Sequence, residues 1–356
     1  MSVFVIAEAG VNHLGNLGIA LAMIDVAAEA GASACKFQAF KSENLVTGWA
    51  PKATYQSAND GAEGGQLDML RPLELPRSAY PILRDACERS GIELIVTPFD
   101  IPSIPFLAHE LGLRRLKIAS GETTNSQMLV TAARTQREII LSTGMTDLHE
   151  VKEALGALAF GYLEPETKQP TRGDFLAMVD APDVMEKLKS KVTLLHCTSQ
   201  YPTPIEGANV MAIPTMREAF GLDVGLSDHT LGSAAAAAAA AHGARMFEKH
   251  FTLSSRLPGP DHLASAEPDG LKAYISMVRD VVSSLGDGEK RLLDIEKNTQ
   301  DVARRSLVAA RPISKGEVLT EENLTAKRPA DGKNSMDYWD MLGKQAARDY
   351  DTDEMI

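Results

Sequence analysis

The chain has 356 residues and a formal net charge of −12, from 36 Lys and Arg against 48 Asp and Glu. That length is enough for two domains, or for one large domain and a small one. The acidic balance excludes a nucleic-acid-binding surface, which needs a basic face, but leaves room for an anionic substrate, because a local lysine cluster overrides global charge. The three cysteines, Cys35, Cys87 and Cys197, make neither a disulfide framework nor a CxxC pair, so reduced thiols in a cytoplasmic protein are expected. The start runs straight into a strand pattern without a basic region or cleavage site, so no signal peptide is expected. No apolar run reaches membrane-spanning length.

Eight apolar runs of strand length follow in order: Val3–Glu8, Ala34–Gln38, Glu93–Thr97, Arg115–Ala119, Glu138–Ser142, Thr193–His196, Asp223–Leu226 and Arg245–Lys249. Helical patterns follow them, among them Leu17–Ala30, Pro76–Ser90, Asp147–Ala159 and the alanine-rich Leu231–Gly243. Eight βα units in about 285 residues predict an α/β fold, a (β/α)8 TIM barrel over 1–285. A doubly wound sheet would show a glycine fingerprint after its first strand, and Gly10-Val11-Asn12-His13-Leu14-Gly15 does not fit GxGxxG. Two stretches interrupt the rhythm. Ala39–Leu75 follows a strand and belongs at the catalytic face, with Ser57–Gln66 expected as a mobile lid. Gly161–Ser190 follows a helix and is expected on the opposite face. A linker is predicted over 286–301. A small β-rich module is predicted over 302–356, with strands at Ser306–Ala310, within Pro312–Val318, and at Leu324–Arg328.

In such a barrel, chemistry collects where strands end. His229 and His250 leave the ends of strands seven and eight, and two neutral imidazoles suit Mn, Fe, Co or Zn while leaving positions for substrate oxygen and water. Glu8 and Glu122 are candidate further ligands or acid/base groups. Lys36 and Lys117 lie among apolar neighbours, which is costly unless they face a polar cavity. Two ammoniums at the barrel mouth would suit a phosphate and a carboxylate. Ser120, Ser142, Ser227 and Thr97 recur at neighbouring strand ends and complete an anion cradle. Taken singly, each is an ordinary helix cap. Asp261, in the rigid Pro258-Gly259-Pro260 turn, offers a carboxylate to sugar hydroxyls.

These segments resemble the sialic acid (N-acetylneuraminate) synthase family, which includes the legionaminate synthases. The resemblance is carried by Ala7-Glu8-Ala9-Gly10-Val11-Asn12-His13, Lys36-Phe37-Gln38, Thr97-Pro98-Phe99-Asp100, Lys117 to Glu122, Leu141 to Met145, Leu195 to Ser199 with Tyr201-Pro202, Ser227-Asp228-His229-Thr230, Glu248 to Thr252 and Pro258 to Asp261. Val302 to Ser306, and Lys315-Gly316 through Lys327-Arg328-Pro329, resemble the family's antifreeze-like (SAF) domain. The resemblance implies metal-dependent condensation of phosphoenolpyruvate with an open-chain N-acetylated amino sugar, in which water adds and phosphate leaves by C–O cleavage. N-acetylmannosamine is the acceptor expected first, and a 2,4-diacetamido-2,4,6-trideoxy-mannose the alternative. It implies His229 and His250 as ligands of a divalent metal, Mn²⁺ favoured with Mg²⁺ or Co²⁺ possible. Lys36, Asn59, Thr97, Lys117, Ser120, Ser142 and Ser227 would hold phosphoenolpyruvate. Glu8, Gln38 and Glu122 would surround the reacting centre, and Tyr201, Asp261 and Arg328 would hold the sugar. Arg328 would be supplied across a domain-swapped homodimer. The rival readings are a synthase of 3-deoxy sugar acids on the same barrel and a non-catalytic carbohydrate-binding barrel. The C-terminal module and the SDHT and PGPD motifs speak against the first. The second is opposed by the full set of candidate catalytic positions.

Overall fold

The structure is a computed structural model that describes residues 3–54, 56–57, 64–179 and 181–356. Two compact units form, Met1–Gly286 and Asp287–Ile356. In the first, eight parallel strands alternate with helices: β1 (Phe4–Gly10), β2 (Ala34–Ala39), β3 (Glu93–Pro98), β4 (Arg115–Ile118), β5 (Glu138–Ser142), β6 (Val192–His196), β7 (Val224–Asp228) and β8 (Met246–His250). The strand order β3-β2-β1-β8-β7-β6-β5-β4 brings β3 and β4 together to complete a near-closed (β/α)8 barrel. Each predicted barrel strand is found, with no end displaced by more than two residues. The outer layer includes α1 (Leu17–Glu29), α2 (Ala79–Arg89), α3 (Ser126–Arg134) and α4 (Leu148–Leu163). Asn16 caps α1 through Ile19 N–H, and Asp147 with Glu150 forms a capping box on α4.

Period-two alternation sorts the strand residues. Val5, Ala7, Cys35, Phe37, Leu94 and Val96 join the helices in the main core. A separate cluster of Ile6, Ala34, Ile95, Ile140 and Leu195 fills the barrel interior. Two residues further along the same strands the sequence turns polar: Glu8 after Ile6, Lys36 after Ala34, Thr97 after Ile95, Ser142 after Ile140. The barrel is therefore plugged below by hydrocarbon and lined above by charge. At the start of β4, buried Arg115 pairs with Glu93 at 2.8 Å and Glu138 at 3.6 Å, so the strands' first residues are tied electrostatically.

The 161–190 insertion corrects one expectation. It forms α5 (Arg172–Val179) and α6 (Pro182–Lys191). Arg172 pairs with Glu153, in the first half of α4, at 2.8 Å, and Phe175 packs edge-on to Phe160 at 6.1 Å. Since α4 begins at the catalytic face, the insertion climbs the outside of the barrel instead of staying at its far end. A Cβ on Gly156 would stand 1.9 Å from the Phe175 carbonyl, so this close helix packing requires glycine there.

In the second unit, β9 (Ser306–Ala309) pairs antiparallel with β10 (Leu324–Lys327) over a core of Ala309, Ile313, Leu319, Ala346 and Tyr350. The strand expected within Pro312–Val318 is reduced to single bridges, Ile313 to Tyr350 and Val318 to Gln345. Pro312 has no N–H to donate and Gly316 turns the chain at φ +83°, so a ladder cannot run through. Within the expected linker, residues from Lys297 are helical, in α7 (Lys297–Ala303). Among the described residues no helix is long and apolar enough to cross a membrane.

Candidate active site

A cavity of about 510 Å³ opens where the barrel strands end. Glu8, Lys36, Gln38, Thr97, Lys117, Ser120, Glu122, Ser142, Tyr201, Ser227, His229, His250 and Asp261 all line it. Arg328 is exposed in the second unit, directly after β10. Asn59, with the rest of 58–63 in the expected lid, lies outside the described residues.

The cavity floor is a chain of opposite charges. Lys36 Nζ pairs with Glu8 at 2.9 Å and donates to Thr97 Oγ1 at 3.1 Å. Lys117 Nζ donates to Ser142 Oγ at 2.7 Å. Between the lysines stands Glu248, whose Oε2 is 3.7 Å from Lys36 Nζ and 3.8 Å from Lys117 Nζ, while its Oε1 accepts from Ser227 Oγ at 3.0 Å. Burial pushes the Glu248 carboxyl up, but Lys117 and Lys36 outweigh it and hold the group at about 2. Burial raises the Glu8 carboxyl against the pull of Lys36. It lowers Lys117, with Glu248 opposing, whereas Glu248 and Glu8 overcome burial and raise Lys36. Glu248 was not among the residues singled out from sequence. Its signal was the spacing: it lies two positions before His250 on β8 and must share that residue's inward face.

Hydroxyls and a thiol surround Lys117. Ser120 Oγ accepts from Gly144 N–H at 3.0 Å and touches Cys197 Sγ at 3.0 Å. A Cβ on Gly144 would lie 2.3 Å from Ser199 Oγ, 2.8 Å from Cys197 Sγ and 2.9 Å from Ser120 Oγ. Glycine is what lets these three groups converge. Burial raises the Cys197 thiol, so it is neutral.

On the β7–β8 side the rings of His229 and His250 stand 5.5 Å apart, with the Tyr201 ring 4.1 Å from the first and 5.4 Å from the second. Burial lowers His229 to about 4, and burial together with His229 lowers His250 well below its usual range. Both are neutral. The Nδ1 of His229 donates to the Thr198 carbonyl at 2.7 Å, which leaves its Nε2 with a lone pair. The Nδ1 of His250 is buried without a hydrogen-bond partner. Two neutral imidazoles, one fixed by a backbone carbonyl, fit a divalent metal. No group of three or more His, Cys, Asp or Glu suited to a metal occurs among the described residues. Gly10 turns the chain at φ +54°, a conformation that favours glycine, and Glu8 Oε1, Gln38 Nε2 and His250 Nδ1 gather around it, each 3.5 Å from where a Cβ would be. Asp261 is pushed up to about 7 by burial, with Glu8 adding. Half-buried Glu122 accepts from Asn125 Nδ2 at 2.7 Å.

A cavity with two buried ammoniums at the C-terminal strand ends of an eight-stranded barrel has the place and the chemistry of a barrel enzyme's site for an anionic ligand. Residues 23–290 match the NeuB family and residues 304–356 the SAF domain, and the chain belongs to the NeuB family. It is 42% identical over 352 residues to the N,N'-diacetyllegionaminic acid synthase of Campylobacter jejuni, covering 99% of this chain and 98% of that one. It is 40% identical to the enzyme of the same name from Legionella pneumophila, covering 93% and 87%. The crystal structure of the N-acetylneuraminic acid synthetase from Leptospira borgpetersenii, in complex with citrate, matches at a TM-score of 0.67 and 32% identity, covering 84% and 90%.

Proposed function

We propose that the protein condenses phosphoenolpyruvate with open-chain 2,4-diacetamido-2,4,6-trideoxy-mannose and water, giving N,N'-diacetyllegionaminate and phosphate. The acceptor expected first from sequence, N-acetylmannosamine, gives way to the alternative because the Campylobacter and Legionella relatives carry the legionaminic acid name at 42% and 40% identity. The observation that carries the donor assignment is the pair of buried ammoniums, Lys36 and Lys117, both lining the cavity beside hydroxyls.

In this reading Lys117, Ser120, Ser142 and Ser227 hold the phosphate, and Lys36 with Thr97 holds the carboxylate. The methylene carbon attacks the acceptor aldehyde, water adds at the carbon bearing the phosphate, and the C–O bond to phosphate breaks. Held in line by the lysines, two reactants gain the rate advantage of proximity. Glu8 takes a proton from the water, and Gln38 orients Glu8. Tyr201 and Asp261 hold the sugar, joined by Arg328 from a second copy in a domain-swapped dimer. His229 and His250 would hold a divalent ion, Mn²⁺ favoured, which when bound supplies Lewis acidity at the aldehyde oxygen.

The deciding experiment is phosphate release from phosphoenolpyruvate with Mn²⁺ and each sugar in parallel, with products identified by mass spectrometry. Turnover should favour the diacetamido sugar. Efficient turnover of N-acetylmannosamine alone would overturn the acceptor, and silence with both would overturn the synthase reading. Chelation should abolish turnover, and calorimetric Mn²⁺ binding should vanish in His229→Ala and His250→Ala. Gly144→Ala should raise the KM for phosphoenolpyruvate about tenfold or more, because a Cβ 2.9 Å from Ser120 Oγ displaces that hydroxyl from the cradle, and a 1 Å misplacement can cost about 10²-fold. An unchanged KM would remove Ser120 from the phosphate site.

A further inference from the structure

The cavity is two-sided. Its polar and charged groups come from β4 to β8 and from the inner ends of β1 to β3. Its outer wall over β1 to β3 is hydrocarbon: Val11 after β1, Leu45, Val46, Met69 and Leu70 after β2, and Phe99 after β3. The wall has its own packed backing, for Val11, Met69 and Leu70 form a cluster with buried Phe40 and Leu73, and Leu45, Val46 and Phe99 pack against it while remaining only partly buried. A small enzyme pocket for a fully hydroxylated hexose gains nothing from such a surface. Each sugar hydroxyl turned toward it gives up water and finds no partner.

Two carboxamides stand on the same loop. Gln56 and Gln66 both line the cavity. The Gln56 carbonyl already accepts from Ala53 N–H at 2.9 Å, so its NH₂ is the group left to donate. An acetamido substituent has one carbonyl to accept that donation and one N–H to give, with a methyl that belongs against hydrocarbon.

We infer that this wall is the acceptor's specificity determinant, receiving a deoxygenated C6 methyl and a second acetamido group at C4, with Val46, Met69 and Phe99 as discriminating residues. The inference rests on the synthase reading for its substrate and deepens it. Its physical basis is asymmetric. A hydrocarbon wall rewards each methyl group by roughly 10- to 200-fold in kcat/KM. The same wall penalises a hydroxyl put in that place.

Three acceptors separate the contributions: N-acetylmannosamine, its 6-deoxy analogue, and the 2,4-diacetamido-trideoxy sugar. In the wild type kcat/KM should rise at each step, by about tenfold or more for loss of the C6 hydroxyl. Val46→Thr keeps the side chain's shape and adds a hydroxyl; Met69→Gln does the same along an unbranched chain. Either should compress the ratio between the diacetamido sugar and N-acetylmannosamine by about tenfold, with the KM for phosphoenolpyruvate unchanged. Val46 is partly exposed, so its variant keeps the test alive if Met69→Gln fails to fold. Equal rates for N-acetylmannosamine and its 6-deoxy analogue in the wild type would overturn the wall. So would variants that lower both sugars alike or leave their ratio untouched. If no sugar turns over with phosphoenolpyruvate, the synthase reading fails instead. The same three sugars ranked by calorimetric binding then decide the wall alone.

Discussion

Glu248→Ala should cost about 3–5 kcal/mol of folding stability and most of the enzyme's affinity for its anionic donor, the cost being that of breaking a buried ion network by removing one partner. Glu248 is 4% exposed and stands between Lys36 and Lys117, each also almost fully buried. Without it, two ammoniums share the mouth of the barrel with Glu8 as their one remaining counter-charge on the floor. Lys117, whose proton burial already loosens, then loses the partner that opposes burial most. A Lys117 that holds its proton more weakly attracts a phosphate less. The stability change is read from urea unfolding, where the midpoint should fall with the slope unchanged. Glu248→Gln, which keeps the shape and can still accept from Ser227, should lose less stability and yet raise the donor's KM. A variant as stable as wild type, with an unchanged KM, would show that Glu8 alone neutralises both lysines.

Much of this site can be read from a strand's period of two. Lys36 and Lys117 stand out in apolar strands because a buried ammonium needs a cavity or a partner, and the structure supplies both. Glu8 follows from its position after Ile6, and each barrel strand lies within one or two residues of its expected place. Glu248 obeys the same rule, two positions before His250 on the inward face of β8, but its strand neighbours do not mark it as Lys36 and Lys117 are marked. Other features were out of reach for a different reason. The course of the 161–190 insertion up the outer wall is fixed by Phe175 against Gly156 and Arg172 against Glu153, contacts between segments that local periodicity does not relate. The hydrocarbon wall is likewise assembled from three loops, and none of its residues looks unusual in its own stretch. In the C-terminal unit a β-rich pattern was legible, but whether Pro312–Val318 forms a ladder or two isolated bridges depends on partners at Gln345 and Tyr350.

Glu8→Gln should leave the fold intact and lower kcat by about 10²–10⁴-fold, the range expected for losing a positioned general base. Two carboxylates were candidates from sequence, and their surroundings now distinguish them. Glu122 is half-buried and its Oε2 is engaged by Asn125. Glu8 is 1% exposed; its Oε1 is held by Lys36 and by Gln38 Nε2 at 3.2 Å, and its Oε2 is buried without a partner. An unsatisfied carboxylate oxygen is expensive to bury, and it is worth keeping where a water or a substrate hydroxyl will occupy it during turnover. Its raised pKa makes it a better proton acceptor than an ordinary carboxylate, and Gln38 fixes which oxygen does the accepting. The glutamine variant keeps the side chain's shape and leaves Lys36 a partner in Glu248, so unfolding should shift little while turnover collapses. Glu122→Gln, measured beside it, should lose less. If the two losses were reversed, the base would be Glu122, and the role of Glu8 would contract to holding Lys36 in place for the donor's carboxylate.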